Sequence, residues 1–196
     1  NVIAISATKN DGYVEVYEWN GSAWQQRGND ITAENSETSH EYTGMSMSLN
    51  SDGSIIAIGS PGNYQKGYVR IFVWDGTTWN QKGSTLWGPN ESEAADGDTM
   101  GASVALNSIG NTVCFGSFYR FDYSSTIRKI YVYQYNDGTN DWVRTNDQGF
   151  DSANIMQNTP VNAISINNTG NIIAYTNANY SNNNFQVKIK IGRAHV

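Results

Sequence analysis

The side chains best suited to contact a ligand are aromatic residues in polar segments between short apolar runs. These aromatic residues are Tyr64, Phe118, Tyr119, Phe121, Tyr123 and Tyr180. Rings set among Asn and Ser suit a sugar or protein surface, and loops on a rigid scaffold are where binding residues concentrate. The sequence therefore predicts ligand contacts at these six positions. The alternative is that the rings fold back and cover the ends of the strands.

Two longer segments are rich in carboxylates, the groups that Ca²⁺ prefers as ligands. The first holds Asp30, Glu34, Glu37 and Glu41, and the second holds Glu91, Glu93, Asp96 and Asp98. Asp96 and Asp98 flank a single glycine and are the calcium candidates. Their spacing follows no metal-loop template, so a solvated acidic rim is the alternative, and no metal or other cofactor is expected.

Other catalytic chemistries lack the residues that they need. His40 is the only histidine before the last six residues, which leaves no Ser/His/Asp triad, and no phosphate loop or zinc spacing is present. The segment DGTTW at 75–79 is similar to the Asp-box of sialidase propellers, but it lacks the leading Ser and the spacer before Gly. A sialidase would also need clustered arginines, and the arginines here do not fall at matched positions.

The elements that position these residues belong to a repeated unit, which is clearest at residues 43–83. Its second apolar run recurs as VIAIS, IIAIG, TVCFG and IIAYT, centred on Ala4, Ala57, Cys114 and Ala174 at intervals of roughly 53 to 60 residues. Alternating β-branched and aromatic runs, separated by Gly, Asn and Asp, indicate four antiparallel strands, A to D, in each unit. A period of this size is typical of a β-propeller blade.

The sequence thus predicts an all-β fold, a β-propeller fragment of four-stranded antiparallel blades. Two complete and two partial blades are expected, at 44–83 and 101–146, and at 1–28 and 161–190. Each outer strand begins at a tryptophan, which we expect to pack between blades rather than to bind a ligand. These tryptophans are Trp24, Trp79 and Trp142.

The junction of strands A and B resembles the FG-GAP repeat of integrin-α-type propellers. Thr43 and Gly44 precede SMSLNSDGSIIAI, and Gly59, Ser60 and Pro61 follow it. The resemblance extends over residues 1–190 and implies a propeller, usually of seven blades, that serves extracellular binding or adhesion. The calcium loop of that family is not carried over, because the turns NSDGS, NSIGN and NNTGN are too short and too poor in carboxylates.

Composition limits the partners. The net charge of -6 and pI of about 4.8 argue against nucleic acid, whose phosphates need clustered Lys and Arg. No apolar run approaches membrane-spanning length, so this segment is not expected to insert into a membrane. Cys114 stands where the other repeats have Ala and is expected to be a small core residue. The Asn-, Ser-, Thr- and Gly-rich composition favours an extracellular or cell-surface location.

The last six residues, 191–196, break the repeat. Their sequence IGRAHV is what the nucleotide string ATCGGAAGAGCACACGTC encodes, and that string is similar to a sequencing-library adapter. We interpret these residues as not native and the chain as a fragment of a longer protein.

Together these observations predict a non-catalytic binding or adhesion module rather than an enzyme. Its face with the B–C and D–A loops is expected to recognise a protein or glycan, and the remaining blades of the same chain are its other partner. A carbohydrate-active, sialidase-like propeller enzyme is one alternative. A purely structural scaffold is the other.

We expect the chain to self-associate, because an open array leaves the flat faces of its end blades uncovered. Sedimentation velocity at increasing concentration checks this, and species heavier than the monomer are expected to grow with concentration. A sharp monomeric boundary at every concentration would contradict it.

Overall fold

The computed structural model describes residues 1–9, 11–34, 41–62, 67–87, 99–118, 130–145, 161–179 and 184–191. In these residues every regular element is a β-strand. No helix in the described ranges is long and apolar enough to cross a membrane.

The strands form four separate antiparallel sheets, named here blades one to four in chain order. Blade one contains β1 (Val2–Ala7), β2 (Tyr13–Trp19), β3 (Trp24–Gln26) and β4 (Ile31–Thr32). Blade two contains β5 (Ser46–Leu49), β6 (Ile55–Ser60), β7 (Tyr68–Trp74), β8 (Trp79–Gln81) and β9 (Leu86–Trp87). Blade three contains β10 (Thr99–Leu106), β11 (Thr112–Phe118), β12 (Ile130–Asn136) and β13 (Asp141–Arg144). Blade four contains β14 (Val161–Ile166), β15 (Ile172–Asn179) and β16 (Asn184–Ile191).

The strands of each blade pair in chain order, except that β4 pairs with β2 and β9 with β7, and this confirms the predicted all-β propeller architecture. The outer strand of blades one and two is a single strand in two pieces. In blade one, β3 pairs with the end of β2 and β4 pairs with its start, so residues 27–30 bulge out between the two pieces. In blade two, β8 and β9 pair with β7 in the same way around residues 82–85.

The hydrophobic core is divided among the seams between neighbouring blades. One cluster joins blades one and two, a second joins blades two and three, and a third joins blades three and four. Strand β6 shows why its sequence does not alternate between apolar and polar residues. Ile56 and Ile58 face blade one, whereas Ile55 and Ala57 face blade three, so both faces of the strand are buried.

The turns that link strands A and B are built on an asparagine. In each of three blades the asparagine Oδ1 accepts a hydrogen bond from the amide five residues later, at 2.9 Å. These asparagines are Asn50, Asn107 and Asn167. The turns also bond to one another, because the amide of Ser51 donates to the carbonyl of Ser108, and the amide of Ser108 donates to that of Asn168. The three turns therefore form a chain of backbone hydrogen bonds across the seams.

A tryptophan crosses each of the first two seams at the outer strand. The indole N–H of Trp79 donates to the carbonyl of Arg27 at 2.7 Å, and that of Trp142 donates to the carbonyl of Lys82 at 2.6 Å. Both acceptors lie in the bulge of the preceding blade's outer strand. Trp79 and Trp142 are 9% and 6% exposed, so their predicted packing between blades is confirmed.

At each of these two seams a tryptophan of the following blade, Trp74 or Trp142, approaches a glycine of that bulge too closely for any side chain. A Cβ added to Gly83 would lie 2.6 Å from the ring of Trp142, and one added to Gly28 would lie 2.7 Å from the ring of Trp74. Both glycines also have positive φ angles, of 80° and 74° for Gly28 and Gly83, which residues with side chains rarely adopt.

Trp24 is 43% exposed, and its expected packing between blades stays a prediction. It lies on the flank of blade one that faces away from blade two. Ile3 and Ile5 are exposed beside it in blade one, as are Val187 and Ile189 in blade four. The tryptophan that begins each outer strand is therefore buried by the preceding blade, and the blade to which it belongs does not bury it.

Replacing Trp79 with Ala is expected to lower the free energy of unfolding by about 3–5 kcal/mol, because a large buried ring is lost at a seam. Trp24→Ala is the matched control, since it makes the same change at the same repeat position on an exposed flank, and it is expected to cost less than about 1 kcal/mol. Urea unfolding followed by circular dichroism measures both. An equal decrease in the free energy of unfolding for the two variants would show that packing of Trp79 at the seam does not stabilise the protein.

Candidate functional site

The predicted ligand contacts fall almost entirely outside the described residues. Tyr64, Tyr119, Phe121, Tyr123 and Tyr180 lie there, as do the calcium candidates Asp96 and Asp98. Phe118 ends β11, where its backbone pairs with Thr99. These contacts therefore stay predictions, and the described polar groups must be considered on their own.

A buried carboxylate lies where the D–A segment enters blade two. Glu41 is 4% exposed and is the only buried carboxylate among the described residues. Its Oε2 accepts hydrogen bonds from the hydroxyl of Tyr68, at the start of β7, and from the amide of Glu34 at 3.2 Å. Burying a carboxylate is costly unless donors satisfy it, and these two donors fix its orientation. Glu41 is thus not part of a solvated acidic rim.

Tyr68 is held as a neutral donor in this arrangement. Burial raises the pKa of its phenol, and the hydrogen bond to Glu41 raises it further. Its hydroxyl also accepts from the amide of Glu34 at 3.3 Å. Beside this pair, the hydroxyls of Thr43 and Ser60 lie 3.1 Å apart and are both fully buried.

Arg70 is the only buried cation among the described residues, with 7% of its surface exposed. One terminal nitrogen donates to the carbonyl of Thr32, while Nε has no hydrogen-bond partner. The one ion pair within the described ranges joins Arg27 to Glu18, so the charge of Arg70 has no carboxylate partner. The rings of Tyr68 and Phe72 flank its guanidinium, with centroids at 5.5 and 5.2 Å.

Arg70 lines a cleft of about 310 Å³ on the seam between blades one and two. One wall is the end of the outer strand of blade one, residues 29–34, and the other is formed by β7 and β8 of blade two. The polar side chains that line it are Asn29, Asp30, Thr32, Glu34, Arg70 and Thr78. Because the backbone of Glu34 also bonds to Glu41 and Tyr68, the cleft adjoins the buried carboxylate.

No metal centre or reactive thiol is found in the part of the chain that the structure describes. No group of three or more His, Cys, Asp or Glu residues there is arranged to hold a metal ion. Cys114 is completely buried in β11, as expected for a core residue, and burial raises the pKa of its thiol. A thiol that stays protonated and inaccessible cannot act as a nucleophile.

No protein-family model and no curated protein matches this chain. Among solved structures, the fold is similar to the periplasmic gluconolactonase of Pseudomonas aeruginosa, with a TM-score of 0.51, 12% identity and coverage of 90% of this chain and 47% of that one. Candidate 6-phosphogluconolactonases from Bacteroides uniformis and Bacteroides fragilis give TM-scores of 0.45, at 10% and 11% identity. They are covered over 50% and 52% of their lengths. The chain thus spans about half the length of these proteins.

The similarity to the Pseudomonas aeruginosa protein corrects the prediction of function. The propeller that this chain resembles is that of a carbohydrate-processing enzyme, so the interpretation as a non-catalytic binding or adhesion module of the FG-GAP, integrin-α type is wrong. The motif that suggested it has a simpler cause. A Cβ on Gly44 would lie 2.6 Å from Ser6, and one on Gly59 would lie 1.9 Å from the carbonyl of Gly101. These glycines are required by close blade packing, which is not specific to adhesion propellers.

Sequence reasoning missed Glu41, Tyr68 and Arg70 as a group. Glu41 was counted among solvated carboxylates, and Arg70 was judged only against the positions that a sialidase would need. A signal was present, because the repeat places Glu15 and Tyr131 where blade two has Arg70. A position that changes charge from blade to blade is not fixed by blade packing.

Cys114 is expected to be unreactive in the folded protein. Its reaction with 5,5′-dithiobis(2-nitrobenzoic acid) at pH 8 should be at least about 100-fold slower than in the unfolded chain, because only an exposed thiolate attacks the reagent. One thiol per chain should react once guanidinium chloride is added. Rapid modification of the native protein would contradict the burial of β11.

Proposed function

We propose that the protein is a carbohydrate-processing propeller enzyme that hydrolyses the ring ester of a sugar lactone. The observation that supports this most directly is the similarity of its fold, over 90% of the chain, to a gluconolactonase. Because the chain spans 47% of that protein, the activity proposed is that of the whole propeller to which these blades belong. The periplasmic location in that protein's name supports a location outside the cytoplasm for this one.

The reaction needs a group that activates water. Water attacks the lactone carbonyl carbon, the bond from that carbon to the ring oxygen breaks, and the ring oxygen takes up a proton. The resulting hydroxy acid ionises and releases one proton. A positioned carboxylate that removes a proton from the attacking water accelerates such a step by about 10²–10⁴-fold.

Glu41 is the carboxylate that we assign to this role. Its Oε2 is fixed by Tyr68 and by the amide of Glu34, which leaves the orientation of the group defined before substrate binds. It lies on the side of the propeller where strands B end and strands C begin, beside the cleft that Arg70 lines. Tyr68, whose raised pKa keeps its proton in place, holds Glu41 rather than reacting itself.

Hydrolysis of D-glucono-1,5-lactone by the whole propeller that contains these blades, followed by titration of the released acid at constant pH, tests the proposal. We expect the protein to exceed the spontaneous rate, and Glu41→Gln to lower kcat/KM by about 100-fold or more with little change in melting temperature. Asp137→Asn is the matched control, since it removes an exposed carboxylate in the turn before β13, and it should retain full activity.

Two results would contradict the proposal in different ways. A wild-type rate equal to the spontaneous rate would reject lactone hydrolysis. A Glu41→Gln variant as active as the Asp137→Asn control would keep the reaction and reject Glu41 as the base.

A further inference from the structure

We infer that the cleft lined by Arg70 is a subsite that holds one neutral, hydroxyl-rich sugar ring of the substrate. The inference rests on the proposed function for the class of substrate. It concerns a position on the outer part of the seam between blades one and two, and it is tested by binding, which needs no turnover.

The size and rigidity of the cleft suit a single ring. Its volume of about 310 Å³ lies at the lower end of the range, about 300–1,000 Å³, of small-molecule sites. Strands form part of both walls, since Ile31 and Thr32 of β4 lie on one side and Arg70 and Phe72 of β7 on the other, whereas Asp30 and Glu34 lie in the segments that flank β4. Arg70, which is held on a strand between two rings, loses little freedom when a ligand binds, and this favours affinity.

The lining offers both donors and acceptors. Arg70 carries N–H groups beyond the one bonded to Thr32, whereas Asp30 and Glu34 offer carboxylate oxygens. Those carboxylates are bonded only to neutral groups: Asp30 accepts from Gln26 at 2.6 Å, and Glu34 accepts from the hydroxyl of Thr85 at 3.1 Å. A sugar hydroxyl donates and accepts at once, so a polyol satisfies this mixed set.

The charges of the lining argue against an anionic ligand. One arginine faces two carboxylates in the same cleft, so a phosphate or a carboxylate would be repelled as well as attracted. A neutral polyhydroxylated ring meets no such penalty. This distinguishes the subsite from a site for a sugar acid or a sugar phosphate.

Arg70 itself lacks a structural explanation. A buried guanidinium normally has a carboxylate partner, because an unpaired buried charge is costly. Arg70 has none, and its Nε bonds to nothing, while Tyr68 and Phe72 hold the group in place from both sides. A buried charge without a carboxylate partner calls for an explanation, and ligand hydroxyls that bond to the terminal nitrogens of Arg70 in the cleft supply it.

The next seam shows that propeller packing does not require the cleft. In blade three, Tyr131 takes the place of Arg70, and Asp141 takes the place of Thr78. Asp141 spans that seam, because it accepts from the amide and the hydroxyl of Ser84 at 2.7 and 2.9 Å. Thr78 makes no corresponding bond to Asn29 in the described structure. Of these two seams, the one between blades one and two is therefore the open one.

Isothermal titration calorimetry of the full chain with D-glucose, D-galactose and D-mannose tests the subsite, with inorganic phosphate and acetate as anionic probes. We expect at least one neutral sugar to bind saturably and both anions to leave that binding unchanged. Arg70→Met and Glu34→Gln should each weaken binding by 10-fold or more, while Asp137→Asn should not. Glu34→Gln changes an exposed side chain, so it remains informative if Arg70→Met fails to fold.

Absence of binding by all three sugars would overturn the inference. So would binding of the anions in their place, or sugar affinity that Glu34→Gln leaves unchanged. The rate of lactone hydrolysis is measured in a separate assay. Sugar binding without hydrolysis keeps the subsite and rejects the proposed reaction, and hydrolysis without sugar binding does the reverse.

Discussion

The hydrogen bond from a tryptophan indole to the main chain of the preceding blade is the interaction on which this architecture depends. A four-stranded sheet with two apolar faces has no core of its own, so a blade depends on its neighbours to bury those faces. Trp79 and Trp142 make that cover specific, because a ring must meet both a carbonyl and a glycine at once. A seam shifted by one residue would lose the hydrogen bond and clash with the strand.

This constraint also separates residues that hold the propeller from residues that are free to do something else. Positions that pack across a seam repeat from blade to blade, as Trp79 and Trp142 do. Arg70 does not repeat, and its burial is costly unless it has a role beyond packing, whereas the buried Glu41 has a carboxylate counterpart in the sequence of blade three, Asp98. At the seam between blades one and two, the inner strands and turns follow the repeat, whereas the outer part contains the cleft that Arg70 lines. The polar groups of this outer part are adjacent to one another.

Much of the fold could be predicted from sequence because its signals are local and repeated. Alternating runs and turn residues identified the strands, and the repeat identified the blades. The exposure of Trp24 could not be predicted in this way, since it is decided by what lies on the far side of a seam. Gly44 and Gly59 correctly indicated close packing between blades. They did not identify the family, because blades pack closely in any propeller. The hydrogen bonds of Tyr68 to Glu41 and of Arg70 to Thr32 join β7 to two segments that precede blade two's first strand, and no local pattern brings these segments together.

The bonds that link the A–B turns run from amide to carbonyl, through Ser51, Ser108 and Asn168, and involve no side chain. Such a hydrogen bond does not depend on the side chain, so the residues of the turn can change during evolution while the bond between the turns is kept. An array joined in this way can lengthen or shorten by duplication or loss of a whole blade in its gene. The turn of an added blade could form the same amide-to-carbonyl hydrogen bond with the turn of the blade beside it. Because these hydrogen bonds use only the backbone, the side chains of each blade can also change during evolution while the blade stays bonded to its neighbours.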